Sequence, residues 1–123
     1  MNAPHLERGA AAERRAAEFL ESHGVAIVAR NLRCKGGELD LVGLDGPLVA
    51  VIEVRQRQRL DYGGALASVT AAKQRKILRA TRYLLQQNKA LRGRRLRFDV
   101  IGVHGPPAGT HDIVWIKDAF RAG

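Results

Sequence analysis

Two carboxylates sit inside the most apolar part of this chain, in segments that read as neighbouring strands. Asp40 lies in Gly37-Glu38-Leu39-Asp40-Leu41-Val42, and Glu53 in Leu48-Val49-Ala50-Val51-Ile52-Glu53-Val54-Arg55. Burying an ionised carboxylate is costly unless it is paired or bound to a metal. Two together make each harder to ionise. Any fold of this chain must answer that conflict. A divalent cation does so, which makes Asp40 and Glu53 candidate metal ligands. A structural ion pair with an arginine for each acid is the plainer alternative.

Asp45-Gly46 is a hairpin-turn signal between the two segments. With those residues as the turn, Leu44 pairs with Pro47, Asp40 faces Val51, and Glu53 lies one diagonal step away. A turn two residues longer puts Asp40 directly opposite Glu53. Either register keeps both acids on one face, because strand side chains alternate. Alternation also places Arg55, Arg57 and Arg59 on the Glu53 face.

The 123 residues suit one domain, with a core over about residues 6–120. Residues from Leu6 to His23 read as a helix stopped by Gly24. Gly9, Ala16, Ala17 and Leu20 make an inward stripe of small residues. Glu13 lies on that stripe, where it either caps a basic residue or points toward Asp40 and Glu53. Val25–Arg33 reads as a strand, and Glu38–Leu44 and Leu48–Gln56 as a hairpin. Leu60–Ser68 reads as a loop. Thr70 looks like the N-cap of a second helix reaching Asn88, and Leu96–Val103 as a further strand. Ile113–Ile116 is a last short strand before a terminal turn at Lys117–Phe120. The order α-β-β-β-α-β-β gives an α/β fold, a mixed central sheet flanked by helices, with the second helix as a parallel crossover.

Net charge is +9, and its distribution is one-sided. Tyr62 to Phe98 contains no acid but ten basic residues: Lys73, Arg75, Lys76, Arg79, Arg82, Lys89, Arg92, Arg94, Arg95 and Arg97. That is the footprint of a polyanion partner, with a generally basic solvated surface as the alternative. The basic helix lacks Trp or Phe on its apolar face, and no apolar run approaches a membrane span, so a membrane is not the expected partner. Met1–Arg8 holds no signal-peptide core and Cys34 is the single cysteine, so a reducing cytoplasm is the expected location. His5, His23, His104 and His111 lack metal-ligand spacing. Asp99 is expected to pair with a nearby arginine, and Trp115 to belong to the core.

Several segments together resemble a known family. They are the helix with Gly9 and Glu13, then Arg30-Asn31-Leu32-Arg33, Gly37–Val42, Glu53-Val54-Arg55, Lys73-Gln74, Arg97-Phe98-Asp99-Val100-Ile101 and Ile116-Lys117-Asp118-Ala119-Phe120. In order and spacing they are similar to the YraN family of uncharacterised, endonuclease-like bacterial proteins. The resemblance implies a restriction-endonuclease-like fold, shared with archaeal Holliday-junction resolvases. It also implies a site in which Glu13 completes the acidic cluster, Asp40 and Glu53 bind Mg²⁺ or Mn²⁺, and Val54 adds its backbone carbonyl. Glu38 is the less favoured extra ligand, since alternation places it on the Asp40 face but one strand step further out. Where the nuclease signature has lysine, this chain has Arg55, which stays protonated and cannot act as a base.

The resulting expectation is a nucleic-acid-binding protein and metal-dependent DNA endonuclease, acting on duplex or branched DNA, with RNA as a further substrate to test. Its catalytic residues would be Glu13, Asp40, Glu53 and Arg55. Arg57, Arg59, Lys73, Arg75, Lys76, Arg79, Arg82, Arg94 and Arg95 would contact the nucleic acid, and a homodimer could cut two strands. The rivals are a catalytically silent DNA-binding module of the same fold and a basic adaptor for an acidic protein.

Overall fold

Apolar strands alternating with amphipathic helices build a five-stranded sheet with helices on both faces. The structure, a computed structural model, describes the backbone of residues 4–57, 62–105 and 112–122. The side chains of residues 4–8, 62 and 63 are not among those described. In chain order the elements are α1 (Pro4–Ser22), β1 (Ala26–Cys34), β2 (Gly37–Asp45), β3 (Leu48–Arg57), α2 (Tyr62–Ala67), α3 (Ala71–Gln87), a 3-10 turn (Lys89–Leu91), β4 (Leu96–His104) and β5 (Asp112–Phe120). Sheet order follows chain order. Among the described strands only β3 and β4 pair in parallel, so α2 and α3 lie in the crossover between them.

Two apolar layers sandwich the sheet. On one face α1 buries Ala12, Ala16, Ala17 and Leu20 against Leu41, Ala50, Ile52 and Ile101. On the other, Ile77, Ala80 and Leu84 of α3 cover Val42, Val49, Val51 and Val100. The central strands are apolar on both sides because both sides are covered. No helix of the described residues is long and apolar enough to cross a membrane.

Four expectations need correction. The hairpin turn is Gly46-Pro47, one residue later than Asp45-Gly46, since Asp45 pairs with Leu48. Gly46 has φ +62°, the conformation that tight hairpin turns need and glycine supplies. A two-residue turn thus reaches the register in which residue 40 falls opposite residue 53. The segment read as a loop holds the short helix α2, whose Ala65 is fully buried. A Cβ at Gly102 would lie only 3.2 Å from the Ala65 methyl, so small residues let that helix lie against β4. Strand β5 runs on to Phe120 rather than stopping at Ile116. Asp118 adopts φ +53° there, and its N–H donates to Asp99 Oδ1 at 3.0 Å, so the sheet continues across the irregularity. Lastly, Gly9 is exposed and does not join the inward stripe. Ala12 takes that place, because no described atom packs within 4 Å of the Gly9 position.

The two glycines predict opposite responses to alanine. A Cβ at Gly37 would run into the Lys76 carbonyl oxygen, so Gly37→Ala should destabilise by about 1–3 kcal/mol, as overpacking does. Gly9→Ala meets no such contact and should stabilise α1 by roughly 0.5–1 kcal/mol. Urea midpoints measure both, and a Gly37→Ala midpoint equal to wild type would remove the close approach of α3 to this turn.

Candidate metal centre

Strand alternation fails at Asp40, and the site exists because it fails. Leu41 packs in the α1 layer, as does its β3 partner Ile52. Leu39, two residues away and by alternation on the same face, packs in the α3 layer. On β1, Arg30 reaches Glu21 of α1 at 3.7 Å, whereas Leu32 packs in the α3 layer. Both strands therefore turn over at the same level, between pairs Arg30–Leu41 and Leu32–Leu39. Asn31, at φ +50°, makes the turnover on β1. Asparagine tolerates that conformation better than most residues.

The β2–β3 ladder ends at the same place, with Leu41 opposite Ile52 as its last pair. In a continued antiparallel ladder the Val54 N–H would meet the Leu39 carbonyl. It donates instead to Asp40 Oδ2 at 2.9 Å. Asp40 thus stands between the parting strands, in contact with the buried Glu53 carboxyl. One oxygen each of Glu13, Glu38 and Asp40 lies within 4.8 Å of the others. Glu13, for which the sequence left two roles open, comes down from α1 to the acids. Glu38, which alternation put one step too far out, joins them because β2 has turned over. Asn31 forms a side-chain hydrogen bond to Glu13. The sequence reading gave Asn31 no role; its signal was a turn-type residue inside a strand.

The electrostatics follow from the packing. Burial raises the Glu53 pKa to about 8, reinforced by the charge and hydrogen bond of Asp40. Lys73 Nζ at 3.6 Å and Arg55 Nη2 at 3.7 Å from Glu53 Oε1 offset this only in part. Burial likewise raises Glu13 to about 7, with Asp40 and Glu38 adding to the rise and Asn31 opposing it. Four acids from three elements thus crowd together, and burial beside the other acids makes Glu13 and Glu53 the two that resist ionising. The hard carboxylate oxygens of Glu13, Glu38 and Asp40, at this spacing, suit a divalent cation such as Mg²⁺ or Mn²⁺, and Glu53 reaches that group through Asp40. Val54 carries its carbonyl on the same strand edge as the N–H given to Asp40, so that oxygen faces the gap between the parting strands.

The basic residues divide into groups. Arg55 Nε is buried with no hydrogen-bond partner among the described residues. Arg57 Nη2 donates to the Gly64 carbonyl at 2.9 Å, tying β3 to α2. Arg59 lies outside the described residues. Thr70 caps α3 by accepting the Lys73 N–H at 3.2 Å, which holds Lys73 in the first turn beside Glu53. Arg75, Lys76, Arg79 and Arg82 are exposed on α3, without an ion pair among the described residues. Arg94 and Arg95 do not join this group. Arg94 donates to the Ala90 and Pro47 carbonyls, both at 3.2 Å. The Arg95 carbonyl accepts the Val49 N–H, so both arginines sit at the hairpin end of β3, away from Glu53.

Asp99 behaves as expected of a structural acid. It is fully buried and accepts from Arg97 Nε at 2.8 Å, Trp115 Nε1 at 3.0 Å and the Asp118 N–H. Arg97 also reaches Asp45 at 3.0 Å. Trp115 is half-buried, with Lys117 Nζ 4.3 Å from its ring centroid, and serves the core and this network together.

The raised acids predict a pH dependence. A carboxyl whose folded pKa lies above its usual 4.5 stabilises fully below that value. That contribution is lost as pH rises through about 7 for Glu13 and about 8 for Glu53. Without divalent cations, Glu53→Gln should melt close to wild type at pH 5 and several degrees above it at pH 9. The same offset at both pH values would show that Glu53 is not strained by ionisation.

Comparison with known proteins places the chain. The model of the uncharacterised protein family UPF0102 matches residues 12–103. A UPF0102 protein of Alkalilimnicola ehrlichii is 43% identical over 120 residues, covering 98% of this chain and 91% of its own. One from Xanthomonas campestris pv. campestris is 44% identical over 121 residues, covering 98% and 97%. One from Pseudomonas putida strain F1 is 42% identical over 113 residues, covering 92% of each. This extent of match agrees with the resemblance carried by Glu13, the Asp40 and Glu53 segments and the β4–β5 motifs. The chain belongs to the uncharacterised protein family UPF0102, the YraN family.

Proposed function

We propose that this chain binds DNA and hydrolyses its phosphodiester bonds with Mg²⁺ or Mn²⁺, on a fold of the restriction-endonuclease-like kind. The observation that carries the reading is the meeting of Glu13, Glu38, Asp40 and Glu53 at the parting of β2 and β3, with Lys73 and Arg55 against Glu53. The four acids and the Val54 carbonyl would hold the ion. When bound, such an ion neutralises phosphate charge and makes a water more acidic. The chain's own residues do the rest. The Val54 N–H orients Asp40, and Asn31 orients Glu13. Arg55 and Lys73 can turn from Glu53 to the phosphate oxygens and stabilise charge developing there. Arg55, always protonated, is a clamp and not a base. Exposed Arg75 and Arg82 would hold flanking backbone, which fixes position without reading sequence. One small domain covers little DNA, and a homodimer would present two such sites to two strands. A silent binding module remains the second reading, favoured by arginine at position 55.

Cleavage of linear, flapped and four-way DNA, with an RNA control, tests this with each metal. Asp40→Asn and Glu53→Gln should abolish cutting while leaving binding intact or tighter, since they remove only negative charge. Lys73→Ala should lower kcat by about 10²–10³-fold, the usual loss for one charge-stabilising donor. Arg55→Lys should lower activity, because lysine gives up the forked contact. Wild type and Arg55→Lys both inert on every DNA, with binding retained, would leave the silent module. DNA affinity should also fall steeply with salt. Replacing Arg75, Arg79 and Arg82 by alanine should flatten that slope by about one for each phosphate no longer neutralised.

A further inference from the structure

A cavity of about 450 Å³ opens between the β1–β2 turn and the first half of α3. Arg33, Lys73, Lys76 and Arg79 line it, together with the backbone of Gly36 and Gly37. Its charge is unbalanced. Arg33 is matched by Glu38 at 3.5 Å and Lys73 by Glu53 at 3.6 Å. Lys76 and Arg79 have no ion pair or side-chain hydrogen bond among the described residues. Two uncommitted cations therefore face one small volume.

The wall opposite them is built by close approach. The Gly37 backbone lies directly against the Lys76 carbonyl, where no side chain fits. A Cβ at Gly36 would touch Arg79 Cδ at 3.4 Å, so the turn also lies along the arginine's stem. The turn thus fixes the backbone of Lys76 and lies along the stem of Arg79, the roots from which the two cations reach the cavity. Arg75 and Arg82, equally basic, do not line the cavity.

The position relative to the acids decides what would enter. Glu38 belongs both to this cavity and to the group with Glu13 and Asp40. Lys73 belongs both to this cavity and to the Glu53 ion pair. The cavity therefore adjoins the acids through Glu38 and Lys73, where a strand with its reacting phosphate at the acids can place one of the two neighbouring phosphates. We infer that this cavity seats the nucleic-acid backbone phosphate next to the reacting one, with Lys76 and Arg79 as its ligands. The inference rests on the nucleic-acid reading above for its occupant, and it adds a point contact where that reading has a diffuse basic face. A built seat of this kind fixes the register of the strand over the acids.

Amide NMR spectra of the full chain without divalent metal test the seat apart from any cleavage. The probe is a single-stranded DNA trinucleotide with no terminal phosphate. A parallel arm uses the same trinucleotide bearing a 5′-phosphate. Saturable shifts are expected at the Gly36, Gly37, Lys76 and Arg79 amides in both arms. The pair Lys76→Gln and Arg79→Gln should erase them and weaken binding about tenfold or more, as expected for losing charge-assisted hydrogen bonds. The control pair Lys89→Gln and Arg95→Gln, also exposed and outside the cavity, should leave the shifts in place. Equal losses in the two pairs would overturn the seat in favour of a delocalised basic surface. Shifts that need the 5′-phosphate would overturn it in favour of an end-binding pocket. A local, variant-sensitive response in a protein that never cuts would keep the seat and remove the nuclease.

Discussion

The hydrogen bond from the Val54 N–H to the Asp40 carboxylate is the interaction on which the site depends. It takes over a place in the β2–β3 ladder that a backbone carbonyl would otherwise fill. The strands can therefore part after Leu41 and Ile52 without orphaning a buried N–H, which would cost about 1–3 kcal/mol. The parting in turn admits two acids to the Asp40–Glu53 pair, one from α1 and one from the outer part of β2. A fully zipped hairpin would hold Asp40 beside Glu53 and leave Glu38 one strand step further out on the same face, away from Glu13 of α1.

The two buried acid centres of this fold make a useful contrast. Asp99 has a forked arginine, an indole N–H and a backbone N–H around it. It is a carboxylate with its charge answered, and its work is to join β4 to β5 across the irregularity at Asp118. Glu53 is as buried in kind but meets another carboxyl first and two cations only at 3.6 and 3.7 Å. Both centres are carboxylic acids buried in central strands. What separates a structural acid from a candidate functional one is whether the neighbours already satisfy it.

The same distinction sorts the arginines. Arg92 donates to the Leu85 and Gln86 carbonyls at the end of α3, where a cation also meets the negative end of the helix dipole. Arg94 and Arg97 are engaged in comparable bonds. In the sequence they form one basic block with Lys76 and Arg79, yet among the described residues Lys76 and Arg79, like Arg75 and Arg82, are left with charge to offer. A charge run read from sequence counts cations; the fold decides how many of them are already used.

Much of this was legible from local rules. The apolar strands, the Thr70 cap, the crossover topology and the meeting of Asp40 with Glu53 all follow from side-chain period and turn chemistry, which act over a few residues. Two acids set within apolar strand segments marked the site in the sequence itself. The misses share one cause. Glu38, Asn31, the exposed Gly9, the length of β5 and the placing of Arg94 all turn on contacts between segments far apart in sequence. Alternation assumes an unbroken strand, and nothing local announces that β1 and β2 turn over together at Asn31 and Asp40. The sequence by itself determined which residues carry charge into the core and which elements hold them. Only the tertiary structure decided which acids meet and which cations stay free, because phase between helix and sheet is set by packing across the whole domain.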